Sequence, residues 1–226
     1  MQTAHKPIAT PDPSSVPINP FYQDASCTIY HGDCREILPS LEKVDLLLTD
    51  PPYGIGDRLV KGGSGHSFDS LIKGRSNEWD ILIDMTLIQS LMDKAKNQII
   101  WGGNFYPLPA CKEPLCWDKI RPNQKNLSEW EYGWTSFTGR ARLFSYCGNG
   151  GFVAKEARQH PTQKPLALMR WCLALVPDAV TILDPFMGSG TTLVAAKLEG
   201  RKAIGIEISE KFCEIAAERL RQGVLF

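Results

Sequence analysis

The 226-residue sequence lacks net charge, because 25 lysines and arginines are balanced by 25 aspartates and glutamates. A protein that binds nucleic acid usually carries an excess of Lys and Arg, which neutralise phosphates. The absence of this excess argues, at first sight, against such a partner. The composition is otherwise ordinary, with 43% hydrophobic and 22% charged residues, which excludes a disordered or fibrous chain.

Long hydrophobic runs are also missing. The longest, such as Val44 to Leu48, are far too short to span a bilayer, and the N-terminus has no apolar core of the kind found in secretion signals. The seven cysteines are an odd number without C-x-x-C spacing or neighbouring histidines, a pattern that favours reduced thiols over disulfides or zinc. We therefore expect a cytoplasmic protein without membrane contact or bound metal.

The chain divides into segments of different composition. Five prolines and little apolar periodicity in residues 1–20 predict a flexible N-terminal arm. Residues 21–226 have the length of a single domain. Within them, Gly, Ser and basic residues predict a mobile loop over 54–78. Between 101 and 180, aromatic residues interleaved with Lys and Arg predict antiparallel strands and loops.

The rest of the chain repeats one pattern, in which a short apolar run ends in a carboxylate and helical spacing follows. Alternating strands and helices predict an α/β fold with a doubly wound, mainly parallel sheet covered on both faces. Ligands bind at the carboxyl ends of such strands, so the acids together predict a site, although each alone is a common helix cap. These acids are Asp33, Asp50, Asp184 and Glu207. The predicted helices are 34–43, 84–96, 166–175, 191–198 and 209–221, the last capped by Ser209.

A glycine-rich turn, Asp184-Pro-Phe-Met-Gly-Ser-Gly-Thr191, leads from strand to helix. A ligand can lie against the free backbone N–H groups of such a helix start. A triphosphate loop would need Lys after the glycines, and a dinucleotide site would need a third glycine where Leu193 stands. The surrounding acids favour S-adenosylmethionine, which carries a sulfonium and an ammonium but no phosphate. An NAD-dependent oxidoreductase, the alternative from another class, is disfavoured.

A second motif, Asp50-Pro51-Pro52-Tyr53, follows an apolar strand. Its prolines remove two N–H donors and stiffen the turn, which leaves carbonyl oxygens and a carboxylate as acceptors beside an aromatic ring. Hydrogen bonds from an exocyclic amine to Asp50 and the Pro51 carbonyl would aim the nitrogen lone pair at a methyl donor, and Tyr53 would stack on the base. An amine inside a duplex must first be flipped out. A surface turn is the plainer interpretation of the tetrapeptide taken alone.

With both motifs in one chain, the sequence resembles the DNA amino methyltransferases, which use S-adenosylmethionine to modify adenine N6 or cytosine N4. The tetrapeptide 50–53 resembles the catalytic motif of that family, 184–191 resembles its cofactor loop, and 160–165 resembles the segment that touches the methionine end of the cofactor. The motif order is similar to the β class, a circular permutation of the Rossmann-like methyltransferase sheet. The resemblance spans residues 26–220 and implies a small recognition insertion over about 105–158, with a homodimer as one arrangement of the chain.

The resemblance also implies roles for individual residues. Glu207 would bind the ribose hydroxyls of the cofactor, Asp33 its adenine edge, and Gln163 or Lys164 its carboxylate. The catalytic set is Asp50, Pro51, Pro52 and Tyr53. The complete cofactor set is Asp33, Thr162, Gln163, Lys164, Asp184, Phe186, Gly188, Gly190, Thr191 and Glu207.

The substrate is narrowed by further residues. Asp at the first position of the tetrapeptide favours adenine N6 over cytosine N4, whose enzymes more often have Ser there, and the lack of a Pro-Cys dipeptide argues against cytosine C5 chemistry. RNA adenine, a glutamine amide and a non-catalytic binding module remain alternatives. Residues 112–170 hold ten Lys plus Arg against five Asp plus Glu, so the zero net charge hides a basic segment. We expect a site-specific DNA adenine methyltransferase of the restriction-modification type, with salt-sensitive DNA binding. The candidate DNA contacts are Lys119, Arg121, Lys125, Arg140 and Arg142.

Overall fold

The computed structural model describes residues 19–54, 82–120, 128–147 and 163–222. The strands in these residues are β1 (Tyr22–Gln23), β2 (Cys27–His31), β3 (Val44–Thr49), β4 (Ala95–Trp101), β5 (Leu115–Asp118), β6 (Trp130–Thr135), β7 (Arg142–Ser145), β8 (Thr181–Asp184) and β9 (Lys202–Glu207). The helices are α1 (Cys34–Ile37), α2 (Met85–Asp93), α3 (Leu166–Ala174), α4 (Thr191–Leu198) and α5 (Glu210–Arg221), with 3₁₀ turns at Leu38–Ser40 and Gly103–Phe105. Residues 1–18 of the expected arm and 55–78 of the expected loop lie outside the described residues.

The described strands form one mixed sheet in the order β1-β2-β9-β8-β3-β4-β6-β5-β7. The five central strands, β2, β9, β8, β3 and β4, all run parallel to one another, which confirms the mainly parallel α/β sheet. Strand β6 runs antiparallel to both β4 and β5, as expected between 101 and 180, whereas β7 runs parallel to β5.

Strand β3 shows why the central run of the sequence is apolar at every position. Leu46 and Leu48 pack into the core that contains α3, α4 and α5, while Leu47 packs on the opposite face with residues of α1 and α2. All three leucines are fully buried. A strand covered on both faces needs such a continuous hydrophobic run rather than an alternating one.

The chain leaves the centre of the sheet in two directions. From β3 it passes through α2 to β4 on one side, and from β8 it passes through α4 to β9 on the other, while β3 and β8 are direct neighbours. A crevice forms at such a switch point outside the carboxyl ends of the strands. The fold therefore places the tetrapeptide that follows β3 beside the glycine turn that follows β8.

Two helix predictions need correction. The helix predicted over 34–43 ends at Ile37, because Pro39 has no N–H to donate to the carbonyl of Arg35, and a 3₁₀ turn follows. Ser209 occupies the N-cap position of α5, but its hydroxyl makes no capping hydrogen bond. Its N–H instead donates to Glu207 Oε1 at 2.8 Å. The other predicted helices are confirmed to within a few residues.

Asp45 joins three strands at the amino end of the sheet. One of its carboxylate oxygens accepts hydrogen bonds from the backbone N–H groups of Val180 and Thr181, both at 3.0 Å, and from the Thr181 hydroxyl at 2.8 Å. The other pairs with Lys96 at 2.7 Å. The Lys96 ammonium and the Thr181 donors hold the pKa of the Asp45 carboxyl well below its usual range.

We predict that Asp45→Ala lowers the free energy of unfolding by about 1–3 kcal/mol, because two backbone N–H groups lose their acceptor. The folded-state pKa is depressed, so this stability is present above the unfolded pKa of about 3.9 and is lost as pH falls below it. Urea unfolding should therefore show a gap between variant and wild type at pH 7 that narrows below about pH 4. Asp178→Ala, in the exposed turn before β8, is the control and should change stability by less than about 0.5 kcal/mol. An unchanged midpoint in Asp45→Ala would contradict this account.

Candidate active site

A cavity of about 450 Å³ opens at the carboxyl ends of β2, β3, β8 and β9. This volume lies within the roughly 300–1,000 Å³ of small-molecule sites. The lining includes all four strand-end acids, Asp33, Asp50, Asp184 and Glu207. Other site residues expected from the sequence also line it, namely Pro51, Pro52, Tyr53, Gln163, Lys164, Phe186, Gly188 and Thr191. Thr162 lies outside the described residues.

The tetrapeptide presents hydrogen-bond acceptors to this cavity. Asp50 accepts hydrogen bonds from the Tyr53 hydroxyl and, at 2.5 Å, from the ammonium of Lys164. An ionised carboxylate has about four acceptor positions, so Asp50 retains capacity for a further donor. The Tyr106 hydroxyl donates to the Pro52 carbonyl, whereas no described residue donates to the Pro51 carbonyl. A carboxylate and a carbonyl are thus both available to the two N–H groups of an amine.

The ring of Tyr53 is held by its neighbours. It stacks on Phe105 with ring centroids 4.7 Å apart and an interplanar angle of 17°. Gly102 directly follows strand β4 and has φ of 66°, and a Cβ at that position would collide with the Tyr53 ring. Glycine is therefore required at 102 for two reasons, the left-handed backbone and the close approach of the ring.

Lys164 lies between two carboxylates. Its side chain is 8% exposed, and its Nζ lies 2.5 Å from Asp50 Oδ2 and 3.0 Å from Glu131 Oε2. Glu131 also pairs with Lys119 at 2.6 Å. Burial opposes ionisation of Glu131, but the two ammonium groups outweigh it and lower its pKa to about 2. The same two carboxylates raise the pKa of Lys164 in spite of its burial.

The turn after β8 is rigidly built. The Asp184 carboxylate accepts hydrogen bonds from the Thr49 hydroxyl at 2.9 Å and the Phe186 N–H at 3.2 Å, and its burial raises its pKa to about 6. Gly190 has φ of 78° and packs so closely on Ala216 that a Cβ would clash there. Arg219 of α5 donates to the Ser189 carbonyl at 2.5 Å. The backbone of the turn is thus held by contacts with Thr49, Ala216 and Arg219 of the protein itself.

The two acids at the next strand ends have structural partners of their own. Glu207 accepts hydrogen bonds from the Gly188 N–H at 3.0 Å and the Ser209 N–H at 2.8 Å, and burial raises its pKa. Asp33 caps α1 through the Arg35 N–H and pairs with the Arg35 side chain at 2.6 Å, which lowers its pKa. Asp33 therefore caps α1 and also lines the cavity.

The candidate DNA contacts differ in how far their side chains are exposed to solvent. Lys119 is turned inward, with its side chain 12% exposed and paired with Glu131, so its charge is not presented at the surface. Arg142 is half-exposed and pairs with Glu113 at 2.5 Å. Arg140 is exposed, and Arg121 and Lys125 lie outside the described residues.

Comparison with known proteins identifies the family. A sequence profile described as DNA methylase, N6_N4_Mtase, matches residues 91–218, more than half of the chain. The chain belongs to this family of DNA amino methyltransferases. It therefore uses S-adenosylmethionine and acts on DNA, as the two motifs indicated.

Individual relatives agree with this assignment. The type II methyltransferase M2.LlaDCHI of Lactococcus lactis subsp. cremoris is 26% identical, over 92% of this chain and 94% of the relative. The DNA adenine methyltransferase YhdJ of Escherichia coli K12 is 28% identical, over 85% and 82%. Two solved structures share the fold, the M1.HpyAVI-SAM complex (24% identity, TM-score 0.58, 85% of this chain and 99% of that one) and the cytosine-N4-specific PvuII DNA methyltransferase (17%, 0.57, 88% of each).

The cavity suits the cofactor of this family in its chemistry. S-adenosylmethionine is cationic at sulfur and at its amino group, and the strand ends supply three carboxylates, Asp33, Asp184 and Glu207. The described residues contain no cluster of ligands suited to a metal ion. Among the described helices, none has the length and apolar character needed to cross a bilayer.

Three residues important to this geometry were not singled out from the sequence. Glu131 could have been noticed, because it shares one face of β6 with the buried Gly133 and Thr135, and a carboxylate on a buried face needs a cation. Gly102 and Tyr106 gave no local signal, since their contacts with the tetrapeptide arise only when β4 lies beside β3.

We predict that Gly102→Ala lowers methyl transfer by at least about tenfold, because the added methyl group would displace the Tyr53 ring, and misplacement by about 1 Å can cost ~10²-fold. Gly200→Ala is the matched control, since Gly200 has a similar φ of 69° but open space where the Cβ would lie. Both variants should lose about 1–2 kcal/mol of stability from the left-handed backbone, measured by thermal unfolding. Equal activity in the two variants would show that the Tyr53 contact does not matter.

Proposed function

We propose that this methyltransferase transfers the methyl group of S-adenosylmethionine to the exocyclic N6 of adenine in DNA. The observation that carries the proposal is the pair of acceptors, the Asp50 carboxylate and the Pro51 carbonyl, at a switch point beside the glycine turn. S-adenosylmethionine supplies an electrophilic methyl group on a sulfonium. The amine nitrogen would form the new C–N bond as the S–C bond breaks, the S–C electron pair would remain on sulfur as a neutral thioether, and the methylated nitrogen would then lose a proton to water.

The tetrapeptide prepares the amine for this step. An exocyclic amine is a weak nucleophile because its lone pair is delocalised into the ring. Two N–H groups held by Asp50 and by the Pro51 carbonyl would bring the nitrogen toward tetrahedral geometry, with Tyr53 against the base. Because Phe105 covers one face of Tyr53, the base would use the other face or follow a movement of Phe105.

Cytosine N4 is the second candidate, since the family includes both reactions. The fold does not exclude it, because a cytosine-N4-specific enzyme shares this fold with a TM-score of 0.57. Adenine is favoured by Asp rather than Ser at position 50 and by the similarity to a relative named as an adenine methyltransferase.

The proposal predicts N6-methyladenine in DNA incubated with the protein and labelled S-adenosylmethionine, detected by nucleoside mass spectrometry. Asp50→Ala should reduce transfer at least about 100-fold, as expected for the loss of a preorganised polar contact. Asp93→Ala, at the exposed end of α2, is the control and should retain activity. If N4-methylcytosine is the sole product, the second candidate function is correct. If RNA is methylated and DNA is not, the substrate is RNA. Full activity in Asp50→Ala would overturn the proposed chemistry.

We further propose the cofactor roles implied by the resemblance. Glu207 would bind the ribose hydroxyls, Asp33 the adenine edge, and Gln163 the carboxylate end, since Gln163 already contacts the turn through the Ser189 hydroxyl at 3.1 Å. The glycine turn from Asp184 to Thr191 would line the remainder.

Glu207→Gln should weaken S-adenosylmethionine binding by at least about tenfold, or ~1.4 kcal/mol. The change removes the charge and sets an amide N–H₂ against one of the two backbone N–H donors. Isothermal titration calorimetry measures the effect directly. Glu214→Gln, on the exposed side of α5, serves as the control. An unaltered dissociation constant in Glu207→Gln would remove Glu207 from the cofactor site.

We propose that residues 105–158, with the loop 54–78, form the target-recognition part of a single domain. The described portion carries Trp130, 53% exposed, and Ile120, 50% exposed, at one end of the β5–β6 pair. Arg140 is exposed in the connection to β7. Because most of this region also completes the sheet, a second copy of the chain would be a natural source of additional DNA contacts.

A further inference from the structure

We propose that Lys164 is a positioning residue for the Asp50 carboxylate, and that Glu131 holds Lys164 in place from strand β6. The inference rests on the proposed role of Asp50 in methyl transfer. It applies equally to adenine and to cytosine, because both present the same amine.

The geometry is that of an alternating chain of charges. Asp50, Lys164, Glu131 and Lys119 follow one another at 2.5, 3.0 and 2.6 Å, and their formal charges sum to zero. Each side chain is less than a quarter exposed. Buried charges of this kind persist only when they are paired, and removing one member leaves its partner uncompensated.

The four groups come from distant parts of the sequence. Asp50 follows β3, Lys164 precedes α3, Glu131 lies on β6 and Lys119 follows β5. The antiparallel part of the sheet therefore contributes a side chain to the catalytic tetrapeptide through one intermediate, Lys164. No helical i,i+4 pairing or other local spacing produces this contact, so the fold itself must bring the charges together.

The donors of Lys164 are already directed to the protein. An ammonium has three N–H donors, and three acceptors lie within 3.4 Å of Nζ, namely Asp50, Glu131 and the Tyr53 hydroxyl oxygen. The ammonium also lies 5.7 Å from the centroid of the Tyr53 ring. Asp50 and the Tyr53 hydroxyl oxygen accept hydrogen bonds from Nζ, whereas the contact with Glu131 is an ion pair without hydrogen-bond geometry. A direct bond to the cofactor carboxylate would therefore compete with two hydrogen bonds and an ion pair.

The charge of Asp50 matters for the reaction. An ionised Asp50 accepts hydrogen bonds from an amine, whereas a protonated Asp50 would compete as a donor. Burial disfavours the ionised form and raises the Asp50 pKa, Glu131 acts in the same direction, and Lys164 opposes both. Among the described groups that interact with Asp50, which are Lys164, Tyr53, Glu131 and Asp184, only Lys164 is cationic.

The test uses two variants that should move the acid limb of the kcat–pH profile in opposite directions. In Lys164→Met, Asp50 loses its cation, so the acid limb of the kcat–pH profile should move to higher pH and kcat at pH 7 should fall about 100-fold. In Glu131→Gln, a neighbouring negative charge is removed, so the acid limb should move to lower pH while kcat stays within about tenfold of wild type. Lys164→Arg keeps the charge and should recover part of the loss.

Two measurements separate positioning from other roles. The dissociation constant for S-adenosylmethionine should change less than about threefold in Lys164→Met, since the proposal gives the lysine no cofactor contact. Lys96→Met is the matched control, because Lys96 forms an exposed pair with Asp45 far from the cavity, and its profile should match wild type. Asp184, with its pKa of about 6, contributes to the acid limb of every variant. The test therefore compares the shift of the acid limb between each variant and wild type, not its absolute position.

Several results would overturn the inference. If Lys164→Met binds the cofactor at least about tenfold more weakly and saturating cofactor restores kcat, Lys164 is a cofactor ligand. If the two acid limbs move in the same direction, or neither moves, the pair has only a structural role. If Lys164→Met does not fold, the result for Glu131→Gln decides alone. An acid limb of its kcat–pH profile that stays at the wild-type position or moves to higher pH would refute the proposal. A wild-type protein that methylates no DNA would instead show that the proposed function itself fails.

Discussion

The two-sided burial of β3 is the constraint on which the rest of the molecule depends. Its leucines are fixed by pairing with β8 on one side and β4 on the other, as in the register of Leu47 with Leu183 and with Gln98. A shift of the strand register by one residue would move each leucine side chain to the opposite face of the sheet and so into the wrong core. The correct register brings Thr49 to Asp184, where the hydroxyl donates to the carboxylate at 2.9 Å. The two motifs of the active site are therefore aligned by the hydrophobic core.

Much of this arrangement could be predicted from the sequence, and the reasons are local. The apolar run of β3, the glycine turn after β8 and the acid at each strand end are contiguous patterns, so the α/β class and the position of the crevice followed from them. The early end of α1 could not be obtained from apolar spacing, because Pro39 removes a single hydrogen bond. The partners of Lys164 could not be predicted either, because strand β6 reaches the tetrapeptide only through its pairing with β4.

Several basic residues of the segment 112–170 are neutralised by carboxylates within the protein. Of the basic residues between 112 and 170, Lys119, Arg142, Lys164 and Arg170 each pair with a carboxylate. A count of charges along the sequence therefore overstates the positive charge that is presented to a phosphate backbone. It also conceals the fact that part of this charge is used inside the protein, where ion pairs in low dielectric interact more strongly than at the surface.

Two adjacent residues at the start of strand β6 have different surroundings. Trp130 at its start is exposed, whereas Glu131 points inward and contacts Lys164. Under the proposed assignment of residues 105–158 to target recognition, an exposed position such as Trp130 is free to vary with the target sequence, whereas Glu131 contacts Lys164 and, through it, the tetrapeptide. Replacing residues 105–158 by the corresponding segment of a relative would thus exchange the proposed partner of Lys164 along with the proposed DNA contacts. On that proposal, a donor segment must bring an acceptor for Lys164, a carboxylate or an amide oxygen, to the position of Glu131.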